Sequence, residues 1–259
     1  MLKQLRQTQK GAAFTETLIV LPIIGLLVGG ALQLSFLWEA KSALNHTSLL
    51  VARAAAMNSL DQQAMRDAFV NGMLPYYHPD VANPSDWVAK KQSARVDLFG
   101  ENGTEFINGR FRIVNPTLDA FSDWGLPCGD SCSEIPNDLM RYRDTAVGGA
   151  SLVNIQDANL VRVQLAYGIE PIVPVVGEMI YRIVRMLYIP EPPDPDFPFI
   201  QDPSLDTLTA PTKEWLLPIV ENGRIPMTAV ATVRMQSPAQ LNADNASLIL
   251  SVPELRDAY

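Results

Sequence analysis

Hydrophobic patterning along the chain begins with an unbroken run, LIVLPIIGLLVGGALQLSFL, from Leu18 to Leu37, with no charge in twenty residues. As a helix this run extends about 30 Å, the thickness of a bilayer's hydrocarbon core, and predicts one membrane span. Pro22 lacks the amide hydrogen that the Leu18 carbonyl needs, so a kink or local melting is expected. Gly25 and Gly29 form a GxxxG pair, with Gly30 beside it, small enough for another helix to approach, although glycine is common in membrane helices in any case. After Trp38 the pattern becomes amphipathic: Ala40, Ala43, Leu44, Leu50, Val51 and Ala54 recur at three- and four-residue spacing, so the helix continues outward as a stalk to Met57. A break is expected near Asn58. Ser59 and Gln62 have capping-box spacing and would open a second helix over 61–70, closed near Gly72 and Pro75.

Further along, alternation of apolar and polar residues predicts half-buried strands at 93–99 (Ala94, Val96 and Leu98 on one face), 110–114, 160–167 and 226–236, with a last short one at 247–252. Long connections and few tight hairpin signals suggest a small antiparallel sheet laid against the long N-terminal helix, an α+β fold. Residues 172–188 read as a helix with Pro174 near its first turn. Val175, Val176, Met179, Ile180, Ile183 and Leu187 form a wide apolar face opposite Glu178, Arg182 and Arg185. A core helix covering the sheet is the expected role, with Glu178 and Arg182 paired on its wet side, and a place on a membrane surface is the alternative. Residues 189–213 hold a proline-rich, acidic stretch unfit for a regular helix or central strand. It reads as an extended loop, a linker unless Phe197 and Phe199 anchor it to a partner.

The domains expected are therefore a basic leader over 1–11, a transmembrane helix over 12–38, stalk helices over 39–74 and an exported α+β domain over 75–259. Within the last, 75–154 reads as an insertion that carries the cysteines.

Charge adds a direction to this picture. The net charge is −8, and Lys3, Arg6 and Lys10 lie in the leader with no acid, so the remainder carries −11. The positive-inside rule puts the N-terminus in the cytoplasm and exports the acidic body. A body of that sign, with no basic stripe, argues against nucleic-acid binding. Cys128 and Cys132, in PCGDSCSE, are the two cysteines. Outside the cytosol they are expected to form a local disulfide; a metal site ranks lower, because zinc takes about four N or S ligands and His46 and His78 have no ligand-like spacing with them. A cleaved secretory signal would use the small residues of 54–56, but the apolar run is too long for an ordinary signal.

Catalytic material is sparse. Two histidines leave little for a nucleophile and base, GGAS at 148–151 reads as a flexible turn, and the acid pair Asp194 and Asp196 falls in the proline-rich stretch. No cofactor and no reaction are expected.

One residue remains unexplained by the span itself. Glu16 lies at the mouth of the apolar run, where a carboxylate requires a partner or a function. It is the fifth residue after Gly11, in GAAFTE, behind a basic leader. This arrangement resembles the type IV prepilin signature. The longer stretch GAAFTETLIVLPIIGLLVGGALQLSFLWEAKSALNHTSLLVARAAA resembles the TadE-like pseudopilins of tight adherence (Flp) pilus systems, in which a proline interrupts the apolar run and ARAA follows. NLVRVQLAYGIEPIVPVVG and the later TAVATVRMQ resemble the soluble part of that family more loosely. Thr17 departs from the pattern, since many members carry an aromatic there.

The resemblance implies that a prepilin peptidase cuts between Gly11 and Ala12 on the cytoplasmic side of the bacterial inner membrane. It implies that the helix then stays in the membrane, and that Glu16 guides docking with other pilins or pseudopilins and the assembly machinery. The new α-amine of Ala12 would lie one helical turn before Glu16. A membrane-anchored periplasmic enzyme or sensor domain that keeps its anchor uncut is the rival expectation.

Overall fold

The computed structural model describes residues 2–80, 82–129, 131–188 and 210–254, with the backbone alone for 2–13, 15 and 210–213. The first element is a helix of 56 residues, α1 (Leu2–Met57), which runs through Pro22 without a break. The expected local melting does not occur: proline removes one hydrogen bond, which the flanking turns of so long a helix tolerate. Burial on α1 starts at Gln33 and recurs at Leu37, Ala40, Leu44, Val51 and Ala55, a stripe of helical period that faces the rest of the protein.

The expected break follows at once. Ser59 and Leu60 both have positive φ, 54° and 65°, and reverse the chain. This backbone changes the expected cap. Ser59 is left-handed and donates its N–H to Ser237 Oγ at 2.8 Å, while Asp61, extended, accepts the Ala64 N–H at 2.7 Å and caps α2 (Gln62–Met73). α2 folds back along α1, and Gly72 lies so close to Thr47 that a Cβ would come within 2.7 Å of its hydroxyl. The helix extends past Gly72 to Met73 and tightens into a 3₁₀ turn, Leu74–Tyr77.

The strand expected over 93–99 is instead the end of a helix, α3 (Pro84–Phe99). Asn83 accepts from the Ser85 N–H, Pro84 occupies the first turn, and Ala94 and Leu98, four residues apart, are buried together. Then come β1 (Gly109–Asn115), α4 (Leu118–Trp124), β2 (Leu126–Gly129), β3 (Cys132–Ile135), α5 (Ile155–Ala158), β4 (Leu160–Ile169), α6 (Val176–Tyr188), α7 (Ala210–Glu221), β5 (Ile225–Arg234) and β6 (Ala239–Leu241). The last expected strand is a 3₁₀ turn, Ala246–Leu248, followed by one parallel bridge from Ile249 to Ile113.

The expected α+β arrangement is the one observed. The main sheet has order β1-β4-β5 and is antiparallel throughout, with β4 and β5 paired without interruption from Leu160 and Arg234 to Ile169 and Ile225. Val161, Val163, Leu165, Tyr167 and Ile169 alternate onto the face that joins the core, where Phe69, Phe99 and Phe111 meet edge to face. Part of the 75–154 stretch is therefore central to the fold, since α3 and β1 build this core. A second sheet, β2-β3-β6, carries the cysteines.

Two contacts fix how the main sheet lies along α1. The Ala56 carbonyl accepts the Gln236 and Ser237 N–H groups at 3.0 Å, and the Lys41 ammonium donates to the Thr228 carbonyl. The Leu160 end of β4 thus lies by the end of α1, and the Ile169 end points back toward the apolar run. On the opposite face of the sheet, Ala166 packs on Leu216 and Ile219 of α7, and the Arg112 guanidinium lies 4.3 Å from the Trp215 ring centre. The helix that covers this face is α7, not α6 as expected. α7 also takes in residues 210–213 of the expected proline-rich loop; residues 189–209, with Phe197, Phe199, Asp194 and Asp196, lie outside the described residues.

Candidate functional site

The helix α1 has two unlike halves. Every described side chain from Phe14 to Val28 is exposed, whereas from Gln33 onward one stripe is buried under the folded body. A helix with an apolar surface on all sides suits a protein core or a membrane span. The stretch beginning at Glu16 is long and apolar enough to cross a membrane. Trp38 is 79% exposed just beyond the run, where an amphipathic ring suits a membrane interface.

Glu16 lies on the bare half. Its side chain is exposed and makes no hydrogen bond or ion pair to another described residue. Gly11 and Ala12 are four to five residues earlier on the same helix, so the Ala12 nitrogen is about 6 Å below Glu16 along the axis. The two glycines of the GxxxG pair differ. Gly25 faces open space, whereas a Cβ on Gly29 would lie 3.3 Å from Val173 Cγ1 and Val176 Cγ2 of the same chain. Gly29 thus packs against the chain's own segment preceding and opening α6.

Cys128 and Cys132 are joined by a disulfide, with Cα atoms 5.1 Å apart. They close the β2–β3 hairpin, where Gly129 pairs with Cys132, rather than an irregular loop.

The polar cluster around Asp97 is satisfied from within, whereas Asn159 Oδ1 and Gln33 Nε2 are buried without a hydrogen-bond partner among the described residues. Asp97 accepts from Tyr77 Oη at 2.6 Å, from Tyr167 Oη at 3.1 Å and from Asn108 Nδ2 at 3.0 Å, and pairs with Arg224 at 2.8 Å. Burial, reinforced by the Asp97 carboxylate, pushes both tyrosine hydroxyls well above their usual range. Arg66 is buried, donates to the Gly103 and Thr104 carbonyls, and stacks 4.9 and 4.4 Å from the Phe99 and Phe106 ring centres. Desolvation lowers its pKa.

The GGAS segment is a built turn. Asp123 accepts from the Ser151 hydroxyl and N–H, both at 2.7 Å, and from the Ala150 N–H, which holds its carboxyl below the usual range. A Cβ on Gly148 would meet Asp123 Oδ2 at 2.3 Å. Beside it opens a cavity of 340 Å³ lined by Asp123, Trp124, Leu126 and Arg143, in which Asp123 is occupied by the turn and Arg143 by Asp138. Among the described residues no group of three or more His, Cys, Asp or Glu is placed to hold a metal ion. His46 is exposed on α1, and His78 lies 3.4 Å from Glu39.

Sequence reasoning missed the Asp97 cluster because its members come from five separated segments. It also missed the contact of residues 173–177 with α1, although Gly29 and Gln33 share a face at i, i+4 spacing. Compared with protein-family models, curated proteins and solved structures, the chain has no significant match.

Proposed function

We propose that this chain is a TadE-like minor pseudopilin of a tight adherence pilus system, an assembly subunit rather than an enzyme. In this reading the basic leader stays in the cytoplasm, α1 spans the bacterial inner membrane, and the folded body lies in the periplasm. A prepilin peptidase removes residues 1–11. The resulting Ala12 ammonium neutralises Glu16 of its own chain or of a neighbour as subunits dock through their bare helices.

The observation that carries this reading is Glu16: an exposed carboxylate, five residues after Gly11, on the exposed half of a helix of membrane length. Leaving such a carboxylate in lipid costs up to about 2.5–3.5 kcal/mol at mid-membrane, less near an end, and a terminal amine one turn away offsets that.

The test is Glu16→Ala in a host carrying the assembly genes. The variant is expected to insert and fold as the parent does, by protease resistance and membrane fractionation, while losing crosslinks to neighbouring subunits and pilus yield. Wild-type pilus yield from Glu16→Ala would overturn the proposal.

A further inference from the structure

Where α6 meets α1 conflicts with a role inside a water-soluble core. The Val173 N–H donates to Gln33 Oε1 at 3.0 Å, Val173 and Val176 pack on Gly29, and a Cβ on Gly177 would come within 3.2 Å of the same Gln33 oxygen. These contacts lie within the apolar run. Counting helical rise back from its end at Leu37, Gln33 is about 6 Å and Gly29 about 12 Å inside it. The alternative, a bilayer confined to the bare stretch from Glu16 to Val28, would allow only about 20 Å, too little for a hydrocarbon core of about 30 Å. A bilayer that starts at Glu16 must therefore reach the level of α6.

The surface of α6 fits that position. Ile180, Tyr181 and Val184 turn toward the core, and the next face holds Met179, Ile183 and Met186, which are 53%, 55% and 53% exposed. These residues fall at i, i+4 and i+7, one continuous stripe, and Arg182 borders it with its guanidinium on Glu178 at 2.9 Å. Val175 and Ile172, before the helix, are also exposed. β4 delivers the chain to this point from its end nearest the apolar run.

We infer that α6 is an interfacial helix: the stripe of Met179, Ile183 and Met186 lies in the outer leaflet's headgroup and acyl boundary, with Arg182 at headgroup level. Such helices bury their apolar face about 5–10 Å into this zone, which matches the 6–12 Å depth of the α1 contact. With α1, α6 gives the body a second point of membrane contact and sets its orientation. The inference rests on the reading of α1 as a membrane span.

The full chain in phosphatidylcholine and phosphatidylglycerol vesicles, labelled with an environment-sensitive fluorophore through Met179→Cys, Ile183→Cys, Glu178→Cys or Leu27→Cys, tests it. Leu27 is exposed on the bare half of α1, so its quenching by spin-labelled lipid reports the span alone. The expected result is a blue-shifted emission and quenching by spin-labelled lipid at 179 and 183, and quenching by aqueous iodide at 178. Quenching of 179 and 183 by iodide would overturn the inference, as would protection from both quenchers, which means protein covers the stripe. Failure of lipid quenching at 27 would remove the membrane span and the inference with it.

Discussion

Gln33 Oε1 accepts the Val173 N–H at 3.0 Å, across 140 residues of sequence, and marks the level on α1 where bare helix gives way to folded body. Gly29, one turn below, still touches Val173 and Val176; from Val28 back to Phe14 every described side chain is exposed, and above Gln33 one stripe is buried at every turn.

Gly29 and Gly25 are therefore expected to respond differently to substitution. Gly29→Leu forces a side chain into Val173 and Val176, a clash of the overpacking kind that costs about 1–3 kcal/mol, and should speed amide exchange in α6. Gly25→Leu meets nothing in its own chain and should leave α6 protection unchanged. Equal exchange in the two variants would contradict the contact.

Asp97 ties together the 3₁₀ turn, α3, β4 and the segments before β1 and β5. Asp97→Ala leaves two tyrosine hydroxyls, an asparagine amide and the Arg224 guanidinium without their shared acceptor, and about 2–4 kcal/mol of stability should be lost in denaturant titration. Asp97→Asn keeps an acceptor and should lose less.

The raised pKa values of Tyr77 and Tyr167 carry a pH dependence of definite sign. Below the ordinary tyrosine pKa of 10 both hydroxyls are protonated folded and unfolded, and their contribution is fully present. Above it the unfolded chain releases these protons while the folded chain keeps them, so stability falls as pH rises. Tyr77→Phe should flatten that fall between about pH 10 and 12, measured by urea unfolding at several pH values, against the tyrosine reference pKa. An unchanged slope would contradict the burial argument.

The Cys128–Cys132 bridge pins one hairpin rather than the whole fold. Exported protein should show no free thiol by titration until reduced. A double Cys→Ser variant should lose about 2 kcal/mol or less, given so short a closed loop, with faster exchange confined to the β2-β3-β6 sheet. Free thiols before reduction would exclude the bridge.

Much of the fold was legible because periodicity and burial coincide. The stripe from Ala40 to Ala54 and the alternation of Val161, Val163 and Leu165 each encode one inward face: the structure buries Ala40, Leu44, Val51 and the three strand residues, and half-buries Ala43, Leu50 and Ala54. The stretch at 93–99 misled because Ala94, Val96 and Leu98 alternate, yet Ala94 and Leu98 also stand one helical turn apart. The decisive signal lay ten residues earlier, in the Asn83 cap and Pro84. For α6 the apolar face was legible, but its neighbour was not: nothing in the local sequence announced the contact with Gly29 and Gln33 of α1. Ser59 failed as a cap because a chain reversal put it in a left-handed conformation that its own sequence did not announce.

Whether the chain is cut after Gly11 tests the proposed function most directly. The intact mass and N-terminal sequence of protein purified from a host carrying a prepilin peptidase should show a chain beginning at Ala12. A chain that still begins at Met1, or one that begins far downstream near Met57, would contradict it.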